Sequence, residues 1–347
     1  MELRADGRDK ETREVRLREQ PTGLPRAEHF EVVSRPAPVP REDEVLVRNR
    51  LFRVSASIRM MISEGAEDVE GVPFPALRPG DTLGEEALGE IVVAPAGSGF
   101  SPGDLVLHRG GFRELAVVRP ADCRRVEGNL PDPAMHLGHG WTAYAALTRA
   151  AHVRQGDTVF VSSAAGAIGS MAAMIARTLG ARRVIGSTSR REKAEVLLSE
   201  LRYDAAIVRS EGPVLDQLRE AAPDGIDVAL DSVGGDQLQA AVLTSRPGAR
   251  IVVLGALSGQ LAPEGTGRTA PVLLDSFPIL LRKITMRGYS ADDDPEAQDE
   301  WTRVFAQGLR RGEMSFPHVR VRGLERAPEA IEAVCRGQYV GAVLVEI

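Results

Sequence analysis

Through the first third of the chain the apolar residues come in short runs cut by Pro and Gly. "EVLVRNRLF" (44–52), "ALGEIVVAPAGSGFSPGDLVLH" (87–108) and "RELAVVRP" (113–120) set this pattern. Short runs at such spacing predict a β-rich domain between Val15 and about Asn129. After "LPDPAMHLGHGWTAYAAL" (130–147) the pattern changes. Buried-strand runs such as "TVFVSS", "RRVIGS", "DAAIV", "IDVALDSV" and "ARIVVLGAL" now alternate with helical periodicity in "AIGSMAAMIARTLG", "REKAEVLLSEL", "GPVLDQLREAA" and "DQLQAAVLTS". That alternation predicts an α/β fold, a doubly wound parallel sheet covered by helices on both faces. A helix from near Pro295 leads to "GEMSFPHVRVRGLERAPEAIEAVCRGQYVGAVLVEI", which again reads as strands plus one helix, so the C-terminus is expected to return to the first domain. The expected boundaries are a disordered, charged leader at 1–14, a substrate domain at 15–128, a nucleotide-binding domain at 129–311 and the return segment at 312–347.

Between strand "TVFVSS" and the next helix stand Ala164, Ala165, Gly166, Ala167, Ile168 and Gly169. This is a dinucleotide fingerprint whose first glycine is alanine. Small residues let the backbone approach a pyrophosphate, whose charge rests on the helix N-terminus. Small residues at a tight turn also serve packing alone, so the context carries the weight: a strand before, a helix after, and a second strand ending where the adenosine ribose would lie. NAD sites usually have Asp or Glu at that strand end. Here it reads Ser187, Thr188, Ser189, Arg190, Arg191, Glu192, Lys193. A solvated helix start accounts for these residues too, but cations at a helix N-terminus oppose the dipole by roughly 0.3–1 kcal/mol each. A bound 2′-phosphate removes that opposition, so the expected cofactor is NADPH.

Composition narrows the partners. The 347 residues suit two domains, and with 43% hydrophobic and 27% charged residues the chain reads as an ordinary soluble protein. A formal net charge of −6 argues against nucleic acid or an anionic membrane as partner, though a local basic patch can still hold a phosphate. No apolar run approaches the ~20 residues of a membrane span. The isolated Cys123 and Cys335 indicate no disulfide framework, and the expected location is the cytoplasm. Lysine occurs only at Lys10, Lys193 and Lys283, which makes Lys193 more noticeable.

Together "GWTAYAAL", "VSSAAGAIGSMAAMIARTLG", "EKAEVLLSELRYDAAI", "DGIDVALDSVGGDQLQAAV" and "GQYVGAVLVEI" resemble the medium-chain dehydrogenase/reductase superfamily. Within it they resemble the zinc-independent branch of alkenal, prostaglandin and curcumin-type double-bond reductases. The resemblance implies a GroES-like domain built from both chain ends, a Rossmann NADPH domain between, and a homodimer. It puts Lys193 on the 2′-phosphate and Arg209 where the branch usually has a tyrosine beside that phosphate. It also puts Thr142, Ser232, Val233, Gly255 and Ala256 on loops lining the nicotinamide. Zinc members carry a Cys where this chain reads "RVSAS" and a His where Glu85 stands, so neither catalytic nor structural zinc is expected.

Without a Lewis acid, the expected chemistry is hydride transfer to an activated carbon–carbon double bond, an enone or enoyl substrate, in a specialised biosynthetic setting. Quinone reduction is one alternative. A nucleotide-binding protein with altered or lost chemistry is another. The substrate shell departs from the branch: Ile58 in "VSASIRM" stands at a tyrosine position, a second tyrosine is replaced near Gln260, and an asparagine is replaced by Tyr339. Candidate substitute donors are Tyr289, His139 and His108, each weighed against an ordinary packing or surface role. The segment 258–290 reads either as a lid over the substrate or as a dimer-contacting helix.

Overall fold

The computed structural model describes residues 11–71 and 75–347. They form two compact units. The first comprises the chain to Gly138 together with Val319–Gln338 and Ala342–Ile347; the second comprises His139–His318 and Tyr339–Gly341.

The first unit opens with β1 (Glu11–Leu17), β2 (Phe30–Pro36), β3 (Val45–Val54), the short α1 (Ile58–Met61), β4 (Ala87–Val93), β5 (Leu105–His108), β6 (Leu115–Val118) and β7 (Arg124–Arg125). Residues 1–10 of the expected leader lie outside the described residues, but Glu11–Glu14 are strand: β1 pairs antiparallel with β2 along its whole length. The charged composition hid an alternation that buries Thr12 and Glu14. Charge is tolerated there because the Glu14 carboxylate meets Arg16, Arg35 and the Thr82 hydroxyl.

The second unit carries α2 (Gly140–Ala145), β8 (Thr158–Val161), α3 (Gly169–Thr178), β9 (Arg183–Thr188), α4 (Arg191–Ser199), β10 (Ala205–Val208), α5 (Val214–Ala221) and β11 (Ile226–Asp231). It continues with α6 (Gly235–Thr244), β12 (Ser245–Val253), α7 (Leu257–Gln260), α8 (Ser276–Arg282), β13 (Thr285–Gly288) and α9 (Glu296–Arg310). Its six strands lie in the order β10-β9-β8-β11-β12-β13, every neighbouring pair parallel. This is the doubly wound order, and it reverses between β8 and β11. Strand residues Phe160, Ile185, Ile207, Ala229 and Ile251 pack with Leu218 of α5 and Leu238 of α6 in one buried cluster. A strand buried on both faces has no polar side to show, which is why "TVFV" reads as an unbroken apolar run.

The chain ends with β14 (His318–Arg322), α10 (Ala327–Cys335) and β15 (Ala342–Glu346). The first unit's larger sheet runs β14-β15-β3-β4-β5-β7, with β6 also on β3. Strand β15 pairs antiparallel with the second half of β3 while β6 pairs with the first, so residues from both chain ends complete one sheet.

Candidate functional site

In an open parallel sheet, ligands bind beyond the carboxyl ends of the strands where the order reverses. Here that place lies past Val161 of β8 and Asp231 of β11. The backbone turns sharply after β8: Ser163 takes a left-handed conformation with φ 51°, and Gly166 N–H donates to its carbonyl at 2.8 Å. The turn is pinned to β9 by Ala164 N–H donating to the Ser187 carbonyl at 2.8 Å. A Cβ on Gly169 would lie 2.5 Å from the Ser163 carbonyl oxygen and 2.6 Å from Ala164 Cα, so only glycine lets α3 start this close to the strand. Helix α3 has no side-chain cap at its N-terminus. Gly166 N–H is used within the turn, and the uncapped start of the helix at Ile168 and Gly169 points its positive end toward the same place, where an anion is favoured.

At the end of β9 the structure separates residues that stand together in the sequence. Ser187, expected at the cofactor, is fully buried, and its hydroxyl donates to Gln237 on α6. It ties strand to helix, and its hydroxyl proton is committed to that bond. Arg190 is the extended residue before α4 and is exposed. Arg191 pairs with Glu211. Lys193, three residues into α4, is buried, and its ammonium donates to the Tyr339 carbonyl. Burial, with Arg190 nearby, pushes the Lys193 ammonium down to about 8. A cation held this way gains from a phosphate that restores its charge. Arg209 follows β10 on the surface. The backbone of Tyr339, a residue expected near substrate, is thus beside Lys193, and two residues on Gly341 N–H donates to the Ala165 carbonyl at 2.9 Å.

The loops expected at the nicotinamide are held by a buried network. Ser232 N–H donates to the Ser162 hydroxyl at 2.8 Å, and Gly234 N–H to the Asp231 carboxylate at 2.8 Å. The Val233 carbonyl accepts from Ser258 N–H at 2.9 Å and from its hydroxyl at 2.7 Å. Gly255 sits where a Cβ would lie 2.9 Å from the Ser232 carbonyl oxygen, and Ala256 precedes α7. Thr142 is half-buried on α2. Asp231, Ser162 and Gln237, which hold these loops and the end of β9, were not singled out from the sequence. Their one signal was an acid and a hydroxyl closing otherwise apolar strands, "ALDS" and "VFVS".

Three expected substrate-side residues are committed elsewhere. His108 is buried: its Nδ1 accepts from Gly110 N–H at 3.0 Å, and its Nε2, 2.9 Å from Asn49 Oδ1, therefore carries the proton and donates. The Asn49 amide in turn donates to the Gly110 and Arg113 carbonyls, both at 2.8 Å. Burial, with Arg113 nearby, pushes the His108 imidazole down to about 4, so it is a neutral brace for a loop and not a donor to substrate. Ile58 is buried at the start of α1, so the position that loses a tyrosine here is filled by a core residue. The Tyr289 hydroxyl donates to the Asp294 carboxylate, and burial together with that acid raises its pKa. Its proton is therefore held away from general-acid duty. His139 is half-buried just before α2, and Gln260 is half-buried at the end of α7.

In the first unit, the position compared with a zinc ligand is filled by an ion-pair cluster. Arg53 lies 2.7 Å from Glu85 and 3.0 Å from Glu86, with Arg53 and Glu85 each 12% exposed. The guanidinium occupies the charge complement that a metal would need. Among the described residues no group of three or more His, Cys, Asp or Glu side chains could hold a metal ion.

Comparison with known proteins matches residues 13–126 to a family described as the N-terminal domain of oxidoreductase and residues 167–307 to one described as zinc-binding dehydrogenase. Bovine prostaglandin reductase-3 is 30% identical over 327 residues, covering 90% of this chain and 83% of that protein. The NADP(+)-dependent 2-alkenal reductase of Nicotiana tabacum is 26% identical over 344 residues, covering 96% and 97%. The crystal structure of CurA from Vibrio vulnificus in complex with NADPH superposes with a TM-score of 0.86 at 26% identity, over 96% of this chain and 98% of that one.

The buried imidazole has a pH consequence. Because the folded state holds His108 below its ordinary value of 6.5, protonation favours unfolding. Its stabilising contribution is full above about 6.5 and lost as the pH falls toward 4. His108→Ala is expected to cost ~1–3 kcal/mol in urea unfolding at pH 7. The fall of stability between those pH values should be shallower in the variant; an equal slope would show that His108 is not held neutral.

Proposed function

The chain belongs to the medium-chain dehydrogenase/reductase superfamily, and from that premise we propose that it is an NADPH-dependent reductase of activated carbon–carbon double bonds working without zinc. One observation carries the reading: a glycine-fitted phosphate turn beside a buried lysine, on a strand end with no acid. The residues present fit the cofactor. The turn at Ala165–Gly169 would take the pyrophosphate, Lys193, Arg190 and Arg209 the 2′-phosphate, and the loops at Thr142, Ser232, Val233, Gly255 and Ala256 the nicotinamide. When bound, NADPH supplies a hydride to the β-carbon of the unsaturated substrate.

The protein's own residues orient and hold. The α3 N-terminus would take the pyrophosphate and the basic group the 2′-phosphate, so the adenosine half would be held at both of its anionic groups and the nicotinamide left for the loops at Ser232 and Gly255 to orient. Zinc does not fit. A metal at Glu85 would have to displace Arg53 from a pair at 2.7 Å, and among the described residues no third His, Cys, Asp or Glu joins Glu85 and Glu86 to complete a site. His139, ahead of Thr142, is the remaining candidate for donating a proton toward the substrate.

The same reading includes a homodimer. Helix α8 and its approach expose Leu273 (83%), Phe277 (63%), Leu280 (71%) and Leu281 (62%), and β13 beside it is the edge of the parallel sheet. An apolar patch next to an unpaired strand edge is a surface that a second copy can cover. The cytoplasm suits the two free thiols.

Purified protein should oxidise NADPH in the presence of at least one member of a panel of enones and enoyl thioesters; turnover of simple quinones alone would move the substrate class to quinones. Replacing both Arg190 and Lys193 by alanine should raise the KM for NADPH by about 10- to 100-fold, with the KM for NADH changed little. The wild-type KM for NADPH should climb above pH 8 as Lys193 loses its proton, and that climb should vanish in the variant. Sedimentation should give a dimer that Phe277→Glu with Leu280→Glu converts to monomer; a wild-type monomer would overturn the assembly proposal.

A further inference from the structure

Asp231 is the last residue of β11 and is 0% exposed, in the central pair of the sheet where the strand order reverses. A buried carboxylate is expensive unless its oxygens are satisfied. Here the donors are two peptide groups. Oδ2 accepts from Gly234 N–H at 2.8 Å and Oδ1 accepts from Val233 N–H at 3.3 Å, while the Ser162 hydroxyl lies close enough to favour the charged carboxylate. The charge also lies ahead of Gly235, the first residue of α6, on the favourable side of that helix dipole. Burial pushes the Asp231 carboxyl above its ordinary value, and these hydrogen bonds oppose that rise only in part.

The same few atoms join three loops. Ser162, directly after β8, uses its hydroxyl to accept Ser232 N–H at 2.8 Å, beside the Asp231 carboxylate. The Asp231 carbonyl accepts Leu254 N–H at 2.7 Å, at the end of β12. Ser258 then closes the ring by donating twice to the Val233 carbonyl. The loops after β8, β11 and β12 thereby share one buried anchor. An apolar side chain at 231 would leave the Val233 and Gly234 N–H groups without partners, and a loop so freed would move by fractions of an ångström.

We propose that Asp231 is a positioning residue for hydride transfer, its carboxylate locking Ser232–Gly234 and the phosphate turn into the single arrangement that aims the nicotinamide at the substrate. The anchor sits away from the basic group at Arg190 and Lys193 in the sequence and the sheet, so tight cofactor binding and accurate cofactor aim are separable properties. Binding energy comes from the phosphates. Aim comes from the loop.

This inference rests on the proposed NADPH-dependent reduction. Asp231→Asn keeps the shape but replaces one accepting oxygen by an NH2 that opposes a peptide N–H. It should lower kcat by about 10- to 100-fold, the scale of a small misplacement of reacting groups. Its Kd for NADPH, read by quenching of protein fluorescence, should change less than about threefold. The fluorescence of the bound nicotinamide should shift and broaden, because that signal reports the ring's surroundings whether or not turnover occurs. Ser162→Ala, which removes a hydroxyl of the same network, should move kcat and the nicotinamide signal in the same direction by a smaller factor, and it serves if Asp231→Asn does not fold. Phe160→Leu, a core change in β8 matched for thermal stability, should leave both within about twofold. The proposal is overturned if Asp231→Asn and Ser162→Ala keep wild-type kcat and nicotinamide emission, or if Phe160→Leu loses as much. A wild-type protein that binds NADPH but reduces no double bond defeats the functional reading first, and this inference with it.

Discussion

The approach of α3 to the end of β8 is the constraint on which the second unit depends. Gly169 has no room for a Cβ against Ser163 and Ala164, and the same contraction brings uncapped helix N–H groups to the strand end. A side chain there would push the helix away, and the phosphate turn would lose both its tightness and its positive end. Gly186 shows the same economy on β9, where a Cβ would lie 2.6 Å from that of Ala164. The Tyr203 hydroxyl, donating to the Gly169 carbonyl at 2.7 Å, then holds the helix start from the far side. Packing and anion binding are consequences of one steric condition.

Around that turn the charged groups divide by what surrounds them. Arg191 is spent on Glu211 at the surface, whereas Lys193 is drawn inward to a carbonyl and loses much of its hold on the proton. A buried ammonium facing a neutral acceptor is poised for a stronger anion, which is the property a 2′-phosphate site needs. Because the carbonyl belongs to Tyr339, a 2′-phosphate bound as proposed would draw on the same lysine that holds the backbone at Tyr339. The first unit resolves its buried charges differently. Arg53 satisfies Glu85 and Glu86 together, and Glu14 is matched by two arginines and a hydroxyl, so its carboxylates are already neutralised by side chains.

The α/β fold class was legible because strands buried on both faces must be apolar throughout, and helices beside them must repeat every three to four residues. The tight turn between β8 and α3 was legible for a similar reason: Gly166 and Gly169 act through the backbone three residues apart. The substrate side was not. Tyr289 and His108 carry the right chemistry for proton donors, and nothing near them in sequence reveals that Asp294 and Asn49 hold their protons. The alternation in β1 was likewise masked by arginines and glutamates whose partners lie on other strands.

The sequence by itself determined the parallel sheet, the small-residue turn after β8 and the lack of an acid at the end of β9. These properties are set by residues that are neighbours along the chain. Only the tertiary structure decided that Ser187 is a strut to Gln237 across 50 positions and that His108 is a brace to Asn49 across 59. It alone showed that Asp231 gathers three loops. A polar side chain's role depends on which donors or acceptors reach it after folding, and those come from elements that local periodicity does not connect.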